Sequence, residues 1–315
     1  SGTHLDLRRA LLWPNNSLSA AMLGYWPFSR RSVRTLVIRE TLNGTHAEGF
    51  VQYRERRGQP EADIIYCAPA LDKADPQKHG QHLWHKLLSQ LIVRLGEHGC
   101  QRVYARLMDG APELDLFWQL GFSAYARERV YQHEGQPNFG EAAKPSYWRP
   151  QRSRDLWAVR QLYVTVTPKL VQQAENLPQS NTLAPYRDSF GTSIDRRYVW
   201  SNNDEISGSL RCIRGHNSGW LKLMLNPHAL DRADELVRDG LRLLPPHSEQ
   251  VYVSVREYQS ELEGAILRAG FMRIATEMLM VKHTTAPIKQ TALKPLPVME
   301  GIEARPTATT TRMTK

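Results

Sequence analysis

Three histidines, His79, His82 and His85, follow one another at three-residue spacing ahead of a strongly apolar stretch. Imidazoles can hold a divalent metal when neutral or meet an anionic phosphate when protonated. Their spacing drifts around a helix, and no Cys or carboxylate joins them. No metal site is therefore expected, and an exposed polar helix start is the simpler reading. Cys67, Cys100 and Cys212 are few, far apart and odd in number. That pattern points to reduced thiols in a cytoplasmic setting, not to a disulfide framework or a zinc site. Cys67 ends an apolar run, where a thiol is either reactive or, more commonly, a small buried hydrophobe. No Gly-x-Ser-x-Gly turn is present to carry a serine nucleophile.

The unit that positions these residues runs from His79 to Phe122. Leu83, Leu87, Leu88, Leu91, Ile92 and Leu95 recur at helical spacing, which predicts one buried face. Gly99, free to take the left-handed conformation, ends that helix after Glu97 and His98. Residues 102–107 alternate polar and apolar as a strand does. Pro112 suits a first helical turn, Leu114, Phe117 and Trp118 form the next apolar stripe, and Gly121 stops it before Phe122. The same order returns downstream. Leu230, Leu236, Val237, Leu241 and Leu244 predict a helix before Pro245-Pro246, residues 250–255 a strand, and Leu262, Ile266 and Leu267 a helix leading into Ala269-Gly270-Phe271. Gly121 and Gly270 lie 149 residues apart (270 − 121), close to half of the 315-residue chain. A unit of that size implies a duplicated domain, not an array of short repeats.

In chain order, residues 4–8 read as a first strand and 13–28 as helical or irregular, interrupted by Pro14 and Pro27. Residues 33–40 and 47–54 form a predicted hairpin through Asn43-Gly44. Residues 62–67 make a fourth strand, 72–81 a polar loop, and 124–132 a strand after the Gly121 stop. Residues 135–150, with Gly135, Pro137, Gly140, Pro145 and Pro150 set among polar residues, have linker composition. The second half begins with a mostly helical 154–173, weakened around Val164 to Pro168. A meander follows over 198–200, 206–213 and 220–225, and the last strand covers 273–282. The organisation expected is a domain at 1–134, a linker at 135–150, a second domain at 151–284 and a disordered tail at 285–315.

Hydrophobic residues make up 41% of the chain, and the mean hydropathy is −0.50, as in a soluble globular protein. No apolar run reaches membrane-spanning length. Ser1-Gly2-Thr3-His4 lacks the layout of a secretion signal. The net charge of +9 favours anionic partners, yet the arginines are scattered and no nucleic-acid motif is present. A generally basic surface is expected, without specific nucleic-acid binding.

Each half thus reads strand, helix, three strands, helix, strand, helix, strand: an α+β fold with a mixed, mostly antiparallel sheet flanked by helices. Together with Leu120-Gly121-Phe122, Ala269-Gly270-Phe271 and the stretch around Gly80, this order resembles the GNAT superfamily of acyl-CoA-dependent N-acyltransferases, in tandem, over about residues 4–134 and 147–284. The resemblance implies a cleft where the fourth and fifth strands splay around a pantetheine arm. It also implies a diphosphate held on backbone N–H groups at the next helix start. Acetyl-CoA would be the acyl donor and an amine the acceptor. By the same resemblance Cys67, Ala68, His79, Gly80, Gln81 and His82 fall in the cofactor-binding positions. Glu61 and Asp63 are the candidate bases, each otherwise a solvated strand-edge carboxylate.

The family's phosphate loop runs Arg or Gln, two residues, Gly, one residue, then Gly or Ala. Aligned on the apolar helix face, His79 takes the first position, and His82 and Trp84 take the small ones. Shifted by two, Gln77, Gly80 and His82 match, but His85 and Lys86 move onto the apolar face. Residues 226–232 of the second half hold no glycine, and Asp231 and Asp234 add charge that would repel a diphosphate. The family's tyrosine acid falls on Phe117 and Ile266, neither of which donates a proton. Two functions follow: an acyl-CoA-dependent N-acyltransferase working in its first half, or a pair of degenerate copies kept as a binding or structural module.

Overall fold

The computed structural model describes residues 2–13, 33–42, 45–56, 58–71, 79–133, 146–175, 195–202, 205–244 and 248–284. The expectations for 14–32, the Asn43-Gly44 turn, 72–78, 134–145 and the tail at 285–315 lie outside them. The first half contains β1 (Thr3–His4), α1 (Leu7–Leu12), β2 (Arg34–Leu42), β3 (Thr45–Glu55), β4 (Glu61–Ala68), α2 (His79–Glu97), β5 (Arg102–Met108), α3 (Glu113–Gln119) and β6 (Ser123–His133). The second contains β7 (Arg149–Pro150), α4 (Leu156–Val166), α5 (Lys169–Glu175), β8 (Asp195–Asn202), β9 (Glu205–Arg214), β10 (Ser218–Leu225), α6 (Ala233–Leu241), β11 (Gln250–Arg256), α7 (Leu262–Arg268) and β12 (Phe271–His283).

Local chemistry explains most of these elements. The strand expected at 4–8 gives way to a helix at Leu7, because the Asp6 carboxylate accepts the Arg9 N–H and caps its start. The helix expected over 154–173 breaks at Thr167-Pro168, where the chain turns extended and proline has no N–H to give. Along α2, Leu83, Trp84, Leu87, Leu88, Leu91 and Leu95 are buried, so Trp84 belongs to the apolar face. Gly99, Gly121 and Gly270 take positive φ, as helix stops require.

All twelve strands join one sheet in the order β2-β3-β4-β5-β12-β6-β11-β10-β9-β8-β7, with β1 beside β4 off that path. Pairing is antiparallel except between β4 and β5 and between β10 and β11. The halves of the sequence are not two closed sheets. β12, from the second half, pairs with β5 of the first, and β6, from the first, pairs with β11 of the second. The helices interlock as well. Leu12 of α1 packs on Ile213, Trp220 and Tyr252, while Ala174 of α5 packs on Tyr104, whose hydroxyl donates to the Ala174 carbonyl at 2.8 Å.

The two faces of the sheet differ in kind. One carries two apolar cores, under α2 and α3 and under α6 and α7. The other carries a row of ionic side chains in register across the strands. Arg54 stands opposite Asp63, Glu277 opposite Glu128, Glu128 opposite Arg256, and Lys222 opposite Arg211. At the centre, Arg106 bonds Glu128 at 2.6 Å and reaches Glu277 only at 3.6 Å, while Arg256 and Lys222 approach Glu128 at 3.3 and 3.4 Å. Burial raises the Glu128 pKa, but Lys222, Arg256 and Arg106 together hold it well below the ordinary value. Glu277 receives less compensation. Burial pushes it up to about 7, Arg106 opposes this, and the Glu128 charge reinforces it.

Two outcomes follow from this architecture. Expressed alone, residues 1–134 or 146–315 should lack a cooperative thermal transition, because β6 loses both neighbours in the first piece and β12 both in the second. Co-expressed, they should co-purify and melt as one unit; a cooperative melt of either piece alone would contradict the interlocked sheet. The second outcome concerns Glu277, whose native pKa is raised. Its stabilising contribution is complete below the ordinary value of 4.5 and lost as pH rises through about 7, on the order of 3 kcal/mol in total. Glu277→Gln should therefore be more stable than the parent at pH 8, with a smaller drop in melting temperature between pH 5 and pH 8. Identical pH profiles for the two proteins would show that Glu277 does not titrate in that window.

Candidate functional site

β4 and β5 run parallel for only three rungs, Glu61 with Arg102, Ala62 with Val103 and Asp63 with Tyr104. Beyond Asp63 they diverge, and residues 64–68 lose β5 as a neighbour. The resulting wedge holds β1. Thr3 and His4 pair antiparallel with Cys67 and Tyr66, and the Leu5 N–H donates to the Ile65 carbonyl at 2.8 Å. The Thr3 hydroxyl donates to Glu113 on α3 at 3.1 Å, and Leu5 is fully buried in the first apolar core.

Glu61 and Asp63 lie at the closed end of this wedge, each committed to arginine. Glu61 is buried, 2.8 Å from Arg56 and 3.7 Å from Arg102. Asp63 bonds Arg56 at 2.6 Å and Arg54 at 3.4 Å. Burial works against ionisation of Asp63, but Arg56 and then Arg54 hold its carboxyl well below the usual range. The Arg56 guanidinium also stacks 4.0 Å over the Tyr104 ring. Neither acid is a solvated edge carboxylate.

Cys67 and Ala68 lie at the open end of β4, both buried, with the Cys67 backbone paired to Thr3 on one side and Val51 on the other. Burial, helped by Glu113, pushes the Cys67 thiol well above its ordinary value, which suits a packed hydrophobe rather than a nucleophile. His79, Gly80, Gln81 and His82 form the first turn of α2. His82 is exposed, its Nε2 3.9 Å from Glu40, which also binds Lys86. Trp84 does not project into that helix start: its indole is buried and donates to the Pro69 carbonyl at 2.7 Å. The chain therefore gathers Cys67, Ala68 and β1 at the open end, and separates them from Glu61 and Asp63. Phe117 and Ile266 are core residues.

The second wedge is built differently. β10 and β11 hold five parallel rungs, from Ser218 with Gln250 to Lys222 with Ser254, before they part. Lys222 stands at that point with a third of its side chain exposed. Burial and the neighbouring Arg256 pull its amine down to about 8, against the pull of Glu128. Buried Arg256 bonds Glu175 at 2.8 Å, and Glu175 accepts the Tyr163 hydroxyl at 2.9 Å. The 3-10 turn Pro227–Arg232 precedes α6, and the Asn226 side chain caps it by accepting the His228 N–H. Asp234 is engaged by Arg268 through bonds of 2.8–3.2 Å, so its charge is largely answered. Among the described residues no group of three or more His, Cys, Asp or Glu is placed to hold a metal, and no helix is long and apolar enough to cross a membrane.

Two features escaped the sequence reading. One is the seat of β1, for which no local signal exists. The other is the ionic row, whose trace is visible as Arg106, Glu128, Lys222, Arg256 and Glu277 interrupting apolar alternation inside strands.

No family model and no curated protein matches the chain. Among solved structures it is similar to a GCN5-related N-acetyltransferase from Sphaerobacter thermophilus, at 16% identity over 87% of each chain with a TM-score of 0.49. It is similar also to a tandem GNAT protein from the clavulanic acid biosynthesis pathway, at 11% identity over 84% of this chain and 87% of that one, TM-score 0.45. A GCN5-related N-acetyltransferase from Kribbella flavida shares 10% identity over 84% of this chain and 93% of its own, TM-score 0.44. The chain's own strand order places two diverging parallel pairs, β4 with β5 and β10 with β11, one from each half, in one shared sheet.

Proposed function

We propose that this chain is a GNAT-fold protein kept as a binding module in the cytoplasm, not as an acyl-CoA-dependent transferase. The observation that carries the reading is β1 in the first wedge. Thr3 to Leu5 occupy the β4 edge that a pantetheine arm would need, so acetyl-CoA does not fit that wedge as it is built. Three further features support it. Glu61 and Asp63, the candidate bases, are neutralised by arginines. The second helix start begins on Pro227, which has no N–H, and the next donor is already taken by Asn226. Cys67, Cys100 and Cys212 are free and buried, which suits a reducing compartment.

A second reading, acetyl transfer to an amine in the second half, draws on a separate observation. The amine of Lys222 is partly exposed at the point where β10 and β11 part, near the buried Arg256 and Glu128 and the half-buried Glu175. Thermal melting with a large excess of acetyl-CoA separates the two. A ligand at about 100 times its dissociation constant adds roughly 2.7 kcal/mol, a rise of several degrees for a chain of this size. The binding-module reading expects less than about 1 °C. A rise of several degrees sinks it, and loss of that rise in Lys222→Met would assign the cofactor to the second wedge.

A further inference from the structure

The two halves place equivalent segments differently. α1 and α4 begin at Leu7 and Leu156, 149 residues apart (156 − 7), the same offset as Gly121 and Gly270. The strands before them, β1 and β7, are therefore counterparts. β7 pairs with β8 at the outer end of the sheet, whereas β1 leaves its own outer strand, β2, and enters the wedge beside β4. The fold does not demand a strand there, since the second half is built without one among the described residues.

What draws β1 in is the backbone of β4. Past Asp63 its inner edge has lost β5, and unpaired N–H and C=O groups next to a core are costly. Main-chain pairing with Thr3, His4 and Leu5 answers them, and side chains select the sequence. A Cβ at Gly2 would collide with the Tyr66 hydroxyl and stand 2.7 Å from the Cys67 carbonyl. Thr3 reaches Glu113, His4 meets the Tyr66 ring edge-on at 4.8 Å, and Leu5 fills a closed apolar site. Asp6 then turns the chain into α1.

We propose that the first-half wedge is a binding site for an extended peptide strand, with residues 2–6 as its intramolecular occupant. The peptide it selects runs antiparallel to β4 and reads small residue, hydroxyl residue, ring, large aliphatic, acid. Backbone pairing supplies affinity and the Leu5 site supplies specificity, as in strand addition to a sheet edge. Only two residues of β1 are in the ladder, so the strand can leave while the ten paired positions of β6 and β12 stay intact. Its anchor, α1, is docked on the second half through Leu12, so withdrawal of β1 leaves that contact in place.

The test uses the full chain carrying Leu5→Asp, together with a chain starting at Asp6. Each should melt about 10 °C below the parent, as expected for loss of a buried leucine. The synthetic peptide Ser1-Gly2-Thr3-His4-Leu5-Asp6 should restore the loss saturably. The same peptide with Leu5→Asp should not, and neither should acetyl-CoA. A folded variant that ignores the peptide overturns the proposal. So does one stabilised by acetyl-CoA alone, which would make the wedge a cofactor groove. Should neither variant fold, hydrogen exchange on the parent decides: the Leu5 amide must exchange at least tenfold faster than the amides of β6 and β12. Exchange at one common rate would show β1 to be a fixed part of the core. The binding-module reading is judged separately, by the response of the parent chain to acetyl-CoA.

Discussion

The antiparallel pairing of β6 with β12 is the contact on which the rest of the molecule depends. Each strand belongs by sequence to one half and serves as the inner neighbour of the other half's parallel pair. Backbone hydrogen bonding is obligatory in a buried sheet, so neither half can satisfy β5 or β11 from its own residues in this arrangement. The duplicated unit has thus become one sheet whose midline is a joint between copies. α1 and α5 cross the same midline and reinforce it from one side.

That joint also explains why so many charges are buried. Glu128 and Glu277 face each other across it because they occupy equivalent positions, 149 residues apart (277 − 128). Two carboxylates so close cannot both ionise cheaply, and Arg106 answers one much better than the other. Symmetry in the sequence therefore becomes asymmetry in protonation. Around this centre, Arg256, Lys222 and Glu175 on one side and Arg54, Arg56, Asp63 and Glu61 on the other extend the row. Glu128 and Glu277 are buried, so loss of Arg106 would leave both carboxyls with less compensation than water gives, and such a row ties the register of the joint to its ion pairs.

The wedges follow from the same geometry. A parallel pair that parts leaves an edge inside the molecule, where solvent cannot serve it. The first half meets that demand with its own chain, and the second delays it by two further rungs of pairing, to Lys222. Where the strands part, and what is nearby to fill the gap, decides what each half can bind.

Periodicity alone was enough to place α2, β5, α3 and their counterparts α6, β11 and α7, because local burial patterns and glycine stops are written residue by residue. The α+β class and the duplication followed from counting, with Gly121 and Gly270 as markers. The Asp6 cap and the mid-helix break at Pro168 are equally local, although the alternation of residues 4–8 imitates a strand. What no local pattern carries is partner choice. A strand's alternation says which face is buried and nothing about which strand lies beside it, so the exchange of β6 and β12 and the seat of β1 were decided only by tertiary pairing. Glu61 and Asp63 make the same point: as carboxylates on a strand they invited a role as bases, and only the arrival of Arg56 and Arg102 from neighbouring segments made them ion-pair partners. Sequence fixes the demand of each backbone and side chain; the folded neighbourhood determines what meets it.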